Sequence, residues 1–177
     1  MQDAPARGRR AAAPDKDPPE DPGLASRRAA RDVLRLVAGE RTLDDALDEA
    51  RSFAALEGPD RAFARLLATT VLRRRGAIDH VLGAYIDRPL PKRARRAMDI
   101  LRAAAAQSLF LETPAHAAVS TAVALCKENR ETAGYAGMAN AVARRVAAAG
   151  PAAVGRWREG GGAGLQRVGG SGVGAGG

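Results

Sequence analysis

The sequence predicts an all-α fold, a bundle of about six helices between two disordered tails. Apolar residues recur at steps of three and four through most of the chain, and no stretch shows the two-residue alternation of a strand. Hydrophobic residues make up 46% of the chain but aromatics only 3%. The core must therefore be built from Ala, Leu and Val, small side chains that suit close helix packing better than a sheet. The prolines beyond residue 50 fall between the periodic segments, where their fixed φ and missing N–H do no harm.

The stretch on which the reading is centred runs from Asp60 to Ile86. Phe63, Leu66, Leu67, Thr70, Val71, Ile78, Val81, Leu82 and Tyr85 line one face of a long helix. Asp60 follows Pro59 in the N-cap position. Gly76 comes just after Arg73, Arg74 and Arg75, so the helix is expected to bend or weaken there and to carry a cation cluster at the bend.

Before it, residues 1–23 hold five prolines, scattered charge and few large apolar residues, the composition of a disordered tail. Ser26 is placed to cap a first helix reaching Ala38, where Gly39 stops it. That helix buries Ala30, Val33, Leu34 and Val37. Arg27, Arg28, Arg31 and Arg35 form a parallel stripe that could follow a phosphate backbone or simply face solvent. Thr42 caps a second helix, with Asp44 and Asp45 in its first turn and Leu43, Ala46, Leu47, Ala50, Phe53 and Ala54 facing inward.

After it, Arg88-Pro89-Leu90-Pro91 is a rigid connector. A fourth helix spans about Lys92 to Leu111, with Ala94, Met98, Leu101, Ala105 and Leu109 inward. Its first turn gathers Lys92, Arg93, Arg95 and Arg96 where the macrodipole disfavours cations, which favours an anion nearby. Thr113-Pro114 opens a fifth helix reaching Lys127. A polar loop, residues 128–134, precedes a sixth helix over Tyr135–Ala149, with Arg144 and Arg145 near its outer face. Gly150-Pro151 ends the helical region, and eleven of the last 23 residues are glycine, a flexible tail. The division is thus a tail over 1–23, one domain over 24–150 and a Gly-rich tail over 151–177.

Charge and cysteine content narrow the classes of function. The net charge is +8, from 28 Lys+Arg and 20 Asp+Glu. Residues 24–154 hold 21 of the cations and 14 of the acids, so the excess belongs to the domain. A basic domain favours a polyanionic partner, because neutralising phosphates releases counterions. One cysteine, Cys126, excludes an internal disulfide and a multi-thiolate metal site. The sequence offers no apolar run long enough for a membrane span and no signal peptide, and a cytoplasmic protein is expected. His80 and His116 lie on different helices with no acid–nucleophile arrangement near them, so neither is expected to be catalytic. No cofactor or metal is expected.

Three blocks carry a resemblance. They are Asp60-Arg61-Ala62-Phe63-Ala64 through Val71-Leu72-Arg73; Ile100-Leu101-Arg102 through Gln107-Ser108-Leu109-Phe110-Leu111; and Pro114-Ala115-His116-Ala117-Ala118-Val119 with Ala139-Asn140-Ala141-Val142-Ala143-Arg144-Arg145. In this order and spacing they resemble the NusB-type helical RNA-binding domain. The similarity covers about residues 26–149 and is nearest to the copy that begins Sun/RsmB-type ribosomal RNA cytosine-5 methyltransferases. The resemblance implies an RNA-binding helical bundle, with a ribosomal or leader RNA as ligand and a ribosomal protein as a partner in antitermination. It also implies that the first helix touches RNA through Arg27, Arg28 and Arg31.

Two departures from that pattern stand out. Ala143 replaces a usual leucine, and Ala103–Ala106 replaces glycine and larger apolar residues; both are expected to loosen packing. The catalytic domain of the methyltransferases is not seen in this sequence, and Cys126 lacks the paired-cysteine setting of their nucleophile. The expectation is a non-catalytic RNA-binding module using Arg27, Arg28, Arg31, Arg35, Arg73–Arg75, Arg144 and Arg145. The alternatives are a truncated methyltransferase, for which the glycine-rich end reads as a shortened or frame-shifted terminus, and a helical protein-interaction adaptor. With so few aromatics, sequence preference would come from hydrogen bonds to base edges more than from stacking.

Overall fold

The computed structural model describes residues 23–155. Of the tails predicted over 1–23 and 151–177, residues 1–22 and 156–177, with Trp157, lie outside the described residues. Within them the chain forms α1 (Leu24–Ala38), α2 (Leu43–Glu49), α3 (Arg51–Ala54), α4 (Gly58–Gly83), α5 (Arg95–Phe110), α6 (Ala115–Lys127), α7 (Arg130–Ala133) and α8 (Ala136–Ala149). A 3-10 turn, Lys92–Ala94, leads into α5. Residues 152–155 are helical again, and Ala153 joins the core.

The centre of the bundle is α5, not the long helix α4 that the periodicity favours. α5 packs against α1, α4, α6, α7 and α8. Ala103, Ala104, Ala105 and Ala106 are all buried, at 0–2% exposure. Four consecutive methyl side chains present a small surface in every direction, so neighbouring backbones can approach on all sides, and a helix apolar all round belongs in the interior. The four alanines expected to loosen packing are instead the condition for it. Ile100, Leu101 and Leu109 fill the spaces between them, and Ala143 of α8 is buried as well.

α4 runs through Gly76 without interruption. It buries Leu67, Val71, Ile78 and Leu82, each contributing about 1.5–3 kcal/mol of apolar burial. Leu66, expected to face inward, is 50% exposed. The α4 stripe is narrow because it is covered mainly by two helices, α1 and α5.

The ends of several elements differ from expectation. Glu57 is the N-cap of α4, Gly58 takes φ +51°, and Asp60 sits in the first turn, where its charge favours the macrodipole. Ser26 caps nothing: α1 starts two residues earlier after Gly23 (φ +80°), and the buried Ser26 hydroxyl donates to Gly23 O at 2.8 Å. Thr42 does cap α2, its hydroxyl accepting from Asp45 N at 3.2 Å and donating to the Asp45 carboxylate at 2.6 Å. The predicted second helix is divided by Ala50, whose ψ of 100° turns the chain so that Phe53 of α3 reaches the core. Part of the loop over 128–134 is α7, capped by Asn129, whose side chain accepts from Glu131 N.

Candidate nucleic-acid interface

The four α1 arginines have different environments. Arg27 is built into the fold. Its Nε donates to Gln107 Oε1 at 2.8 Å, another of its nitrogens donates to Gly23 O, and its guanidinium lies 4.2 Å from the centre of the Phe63 ring. Such stacking holds Arg more firmly than a surface ion pair. Arg28 and Arg31 converge on one carboxylate, Glu128 at the end of α6, at 2.6 and 2.9 Å. Arg31 also holds Asp32 at 3.0 Å. Arg35 is exposed and forms no ion pair among the described residues.

Arg31 and Arg35 border a small cleft of about 240 Å³ between α1, α5 and α7, which Arg96, Asp32, Asp99 and Asn129 also line. Arg96 is paired with Glu131 of α7 at 2.9 Å. Across this face Arg28, Arg31, Arg35 and Arg96 therefore meet Asp32, Asp99, Glu128 and Glu131, and the charges nearly balance.

The balance is different one turn away. Between α4, the Ile86–Pro91 connector and the start of α5 lies a cavity of about 610 Å³. Arg75, Lys92, Arg95 and Arg102 line it, against two carboxylates, Asp79 and Asp99. Lys92, Arg93 and Arg95 are exposed and form no ion pair among the described residues. They stand at the positive end of the α5 macrodipole, and no side chain caps that end. The charge cluster that looked misplaced in the sequence thus stands at the surface with no ion pair to Lys92, Arg93 or Arg95 among the described residues.

Beneath it is a buried network. Arg102 donates to Asp79 at 2.7 and 3.1 Å and to Asp99 at 2.9 Å. Burial pushes the Asp99 carboxyl above its ordinary range, more than the Arg102 hydrogen bond and charge pull it down. Arg102 moves up too: its own burial is outweighed by its two carboxylates, with Asp79 ahead of Asp99. Both directions are consistent, because Arg102 has two partners and the deeper Asp99 has one.

The other predicted cations are dispersed. Arg73 is exposed on α4. Arg74 lies over the Phe110 ring at 5.5 Å, and Arg75 is 3.7 Å from Asp79. Arg144 and Arg145 diverge although adjacent. Arg144 accompanies His116 and Lys127 beside an apolar groove of about 840 Å³ between α6 and α8 and donates to Asn140 at 3.2 Å. Arg145 stacks on Tyr85 at 4.9 Å. The structure brings Arg31 to Arg35, sets Arg75 against the start of α5, and leaves Arg73, Arg144 and Arg145 elsewhere. Arg102 was missed as a site residue although Asp99 stands three positions before it, because its second carboxylate, Asp79, lies 23 residues away and reaches it only through the packing of α4 on α5.

The motif residues gain physical roles. Arg61 stacks on Phe53 and donates to the Phe53 and Leu56 carbonyls that end α3, while Phe63 receives Arg27. Gln107 accepts from Arg27 and donates to Ala103 O. Cys126 is buried, and loss of solvation pushes its thiol up to about 11. Among the described residues no cluster of His, Cys, Asp and Glu could hold a metal, and no helix is long and apolar enough to cross a membrane.

Comparison with known proteins bears on this surface. Residues 24–148 match the NusB family. A ribosomal RNA small subunit methyltransferase B of Xanthomonas campestris is 39% identical over 132 residues, 70% of this chain and 30% of that protein. A transcription antitermination protein NusB of a Picosynechococcus species is 40% identical over 87 residues, 49% of this chain and 40% of its own length. A putative methyltransferase of Mycobacterium tuberculosis is 35% identical over 130 residues, 73% of this chain and 28% of the relative. The chain thus spans less than half the length of each of these relatives. No solved structure matches it.

Proposed function

Because the chain belongs to the NusB family, we propose that it is a cytoplasmic RNA-binding module without catalytic activity of its own. The observation that carries this reading is the cation cluster Lys92, Arg93 and Arg95 at the start of α5, exposed and without an ion pair among the described residues, with Arg75 in the same cavity. Phosphates of a looped or single-stranded RNA are the ligand that such a cluster suits, since helix N-terminus and side chains add their fields. Arg28 and Arg31 join this surface at its α1 side, where RNA competes with Glu128 for their guanidiniums. Arg73, Arg74, Arg144 and Arg145 extend the basic character without sharing the site. Arg27 acts by holding α1 against α4 and α5.

A ribosomal RNA is the favoured ligand over a leader RNA, because the match to the methyltransferase covers more of this chain than the match to the antitermination protein. A ribosomal protein is a further candidate partner. The module then recognises RNA for a methyl transfer carried out elsewhere, a reading supported by Cys126, which is buried with its thiol pushed up and so is a poor nucleophile.

The test is RNA binding by the full chain across a salt series. For single strands, log K falls by roughly 0.7 per log salt for each phosphate neutralised. Replacing Lys92, Arg93 and Arg95 by Ala is expected to reduce the slope by about 2. A wild-type protein with no salt-dependent RNA affinity overturns the reading. An unchanged slope in the triple variant moves the site away from α5.

A further inference from the structure

The cavity between α4 and α5 has a feature that phosphate binding alone does not use. Asp99 is only 7% exposed, and its Oδ1 accepts from Arg102. Its Oδ2 makes no hydrogen bond among the described residues. Every fully buried side-chain nitrogen and oxygen there is hydrogen-bonded, so Oδ2 is open to one of the two cavities that Asp99 borders. The smaller cleft is polar and narrow. The larger one has apolar walls from Ile86, Pro89, Leu90 and Met98, and its rim carries Lys92 and Arg95. Asp99, these apolar walls and the cationic rim line one volume of about 610 Å³, inside the roughly 300–1,000 Å³ range of small-ligand sites.

We propose that this cavity receives one unstacked nucleotide of the bound RNA, with a base that bears an exocyclic amino group. The amino group donates to Asp99 Oδ2, the ring lies against Leu90 and Met98, and the phosphate meets Lys92 and Arg95. The inference rests on the RNA-binding reading and adds to it a source of base preference. Single-stranded RNA is read through bases splayed out of the stack, and a carboxylate accepting from an amino group is one of the standard base-edge contacts. Adenine, cytosine and guanine have that group, and uracil lacks it. Charge decides against other occupants. A partner's lysine or arginine would satisfy Asp99 but be repelled by the rim, and an acidic side chain would suit the rim but be repelled by Asp99. A nucleotide carries the donor at one end and the anion at the other.

The experiment uses the full chain and labelled oligo(A), oligo(C) and oligo(U) of equal length, with affinities from fluorescence anisotropy at several salt concentrations. Wild type is expected to bind oligo(A) and oligo(C) about tenfold tighter than oligo(U), the size of one hydrogen bond to a charged acceptor. Met98→Trp, which fills the cavity, is expected to bring all three to the oligo(U) level while keeping the salt slope. Circular dichroism establishes that this variant folds. If it does not, Leu90→Trp, on the connector outside the helices, decides in its place. Equal wild-type affinities with a steep salt slope overturn the nucleotide pocket and leave the RNA-binding reading standing. A preference that survives the cavity-filling variant also overturns the pocket. Absence of binding to any of the three overturns both.

Discussion

Replacing Arg102 by Met tests the buried network at the heart of the domain. The substitution keeps the apolar stem and removes the guanidinium that holds Asp79 at 2.7 Å and Asp99 at 2.9 Å. The two carboxylates are affected unequally. Asp79 is about one-third exposed and keeps solvent and Arg75, whereas Asp99 loses its one hydrogen bond in a site that is 7% exposed. Breaking a buried pair from one side costs about 3–5 kcal/mol, and the residual opening at Asp99 puts this case near 3. For a domain of this size that lowers Tm by roughly 10 °C near neutral pH. The pH dependence separates this cause from lost packing. Asp99 titrates above its ordinary range in the fold, so its contribution to stability is full below that range and is lost as pH rises through the raised value. Arg102 pulls it down, so the variant moves it further up. The deficit of the variant should therefore shrink between about pH 7 and about pH 5, as folding favours the neutral acid. Thermal melts followed by circular dichroism measure both quantities. A Tm loss below about 2 °C, or a deficit that grows in acid, refutes the argument.

Three more outcomes follow from the packing. Ala105→Leu, at a position 1% exposed in the central helix, should cost at least about 1–3 kcal/mol in chemical denaturation, because no neighbour can withdraw. Thr42→Ala removes the cap of α2 and should cost about 1 kcal/mol by the same assay. Cys126, buried with its thiol pushed up to about 11, should react with a thiol reagent at mildly alkaline pH only after denaturant is added; rapid reaction of the native protein would contradict its placement.

Much of the fold was legible because period, caps and prolines agreed. The helices from α1 to α8 that exceed two turns stand near their expected places, and Thr42 caps as expected. The hierarchy among helices was not legible. Ala103–Ala106 shows no period, and a run without period gives no face to assign, so the helix buried on all sides looked weaker than the amphipathic α4. The break at Ala50 carries no glycine or proline to announce it. For the surface, helical spacing placed Arg27, Arg28, Arg31 and Arg35 on one side of α1, as they are, but spacing cannot supply countercharges. Glu128 lies 100 residues beyond Arg28 and is brought to it only by the packing of α6 on α1. The cluster at Lys92–Arg96 was visible as a conflict with the helix dipole, and that local conflict is the sequence signal that best located the exposed charge there.

The alanine-rich interior of α5 has a consequence at its other end. The helix is gripped by five others, and its first turn carries Arg95 and Arg96 out to the two cavities. A helix behaves as a stiff rod, so this anchorage fixes where the first turn stands. Ordering the backbone that carries those side chains is thus completed when the domain folds, and association with a ligand incurs less conformational entropy loss than it would from a loop. The domain can then hold a flexible strand with few contacts, because the rigid half of the complex exists before the two meet.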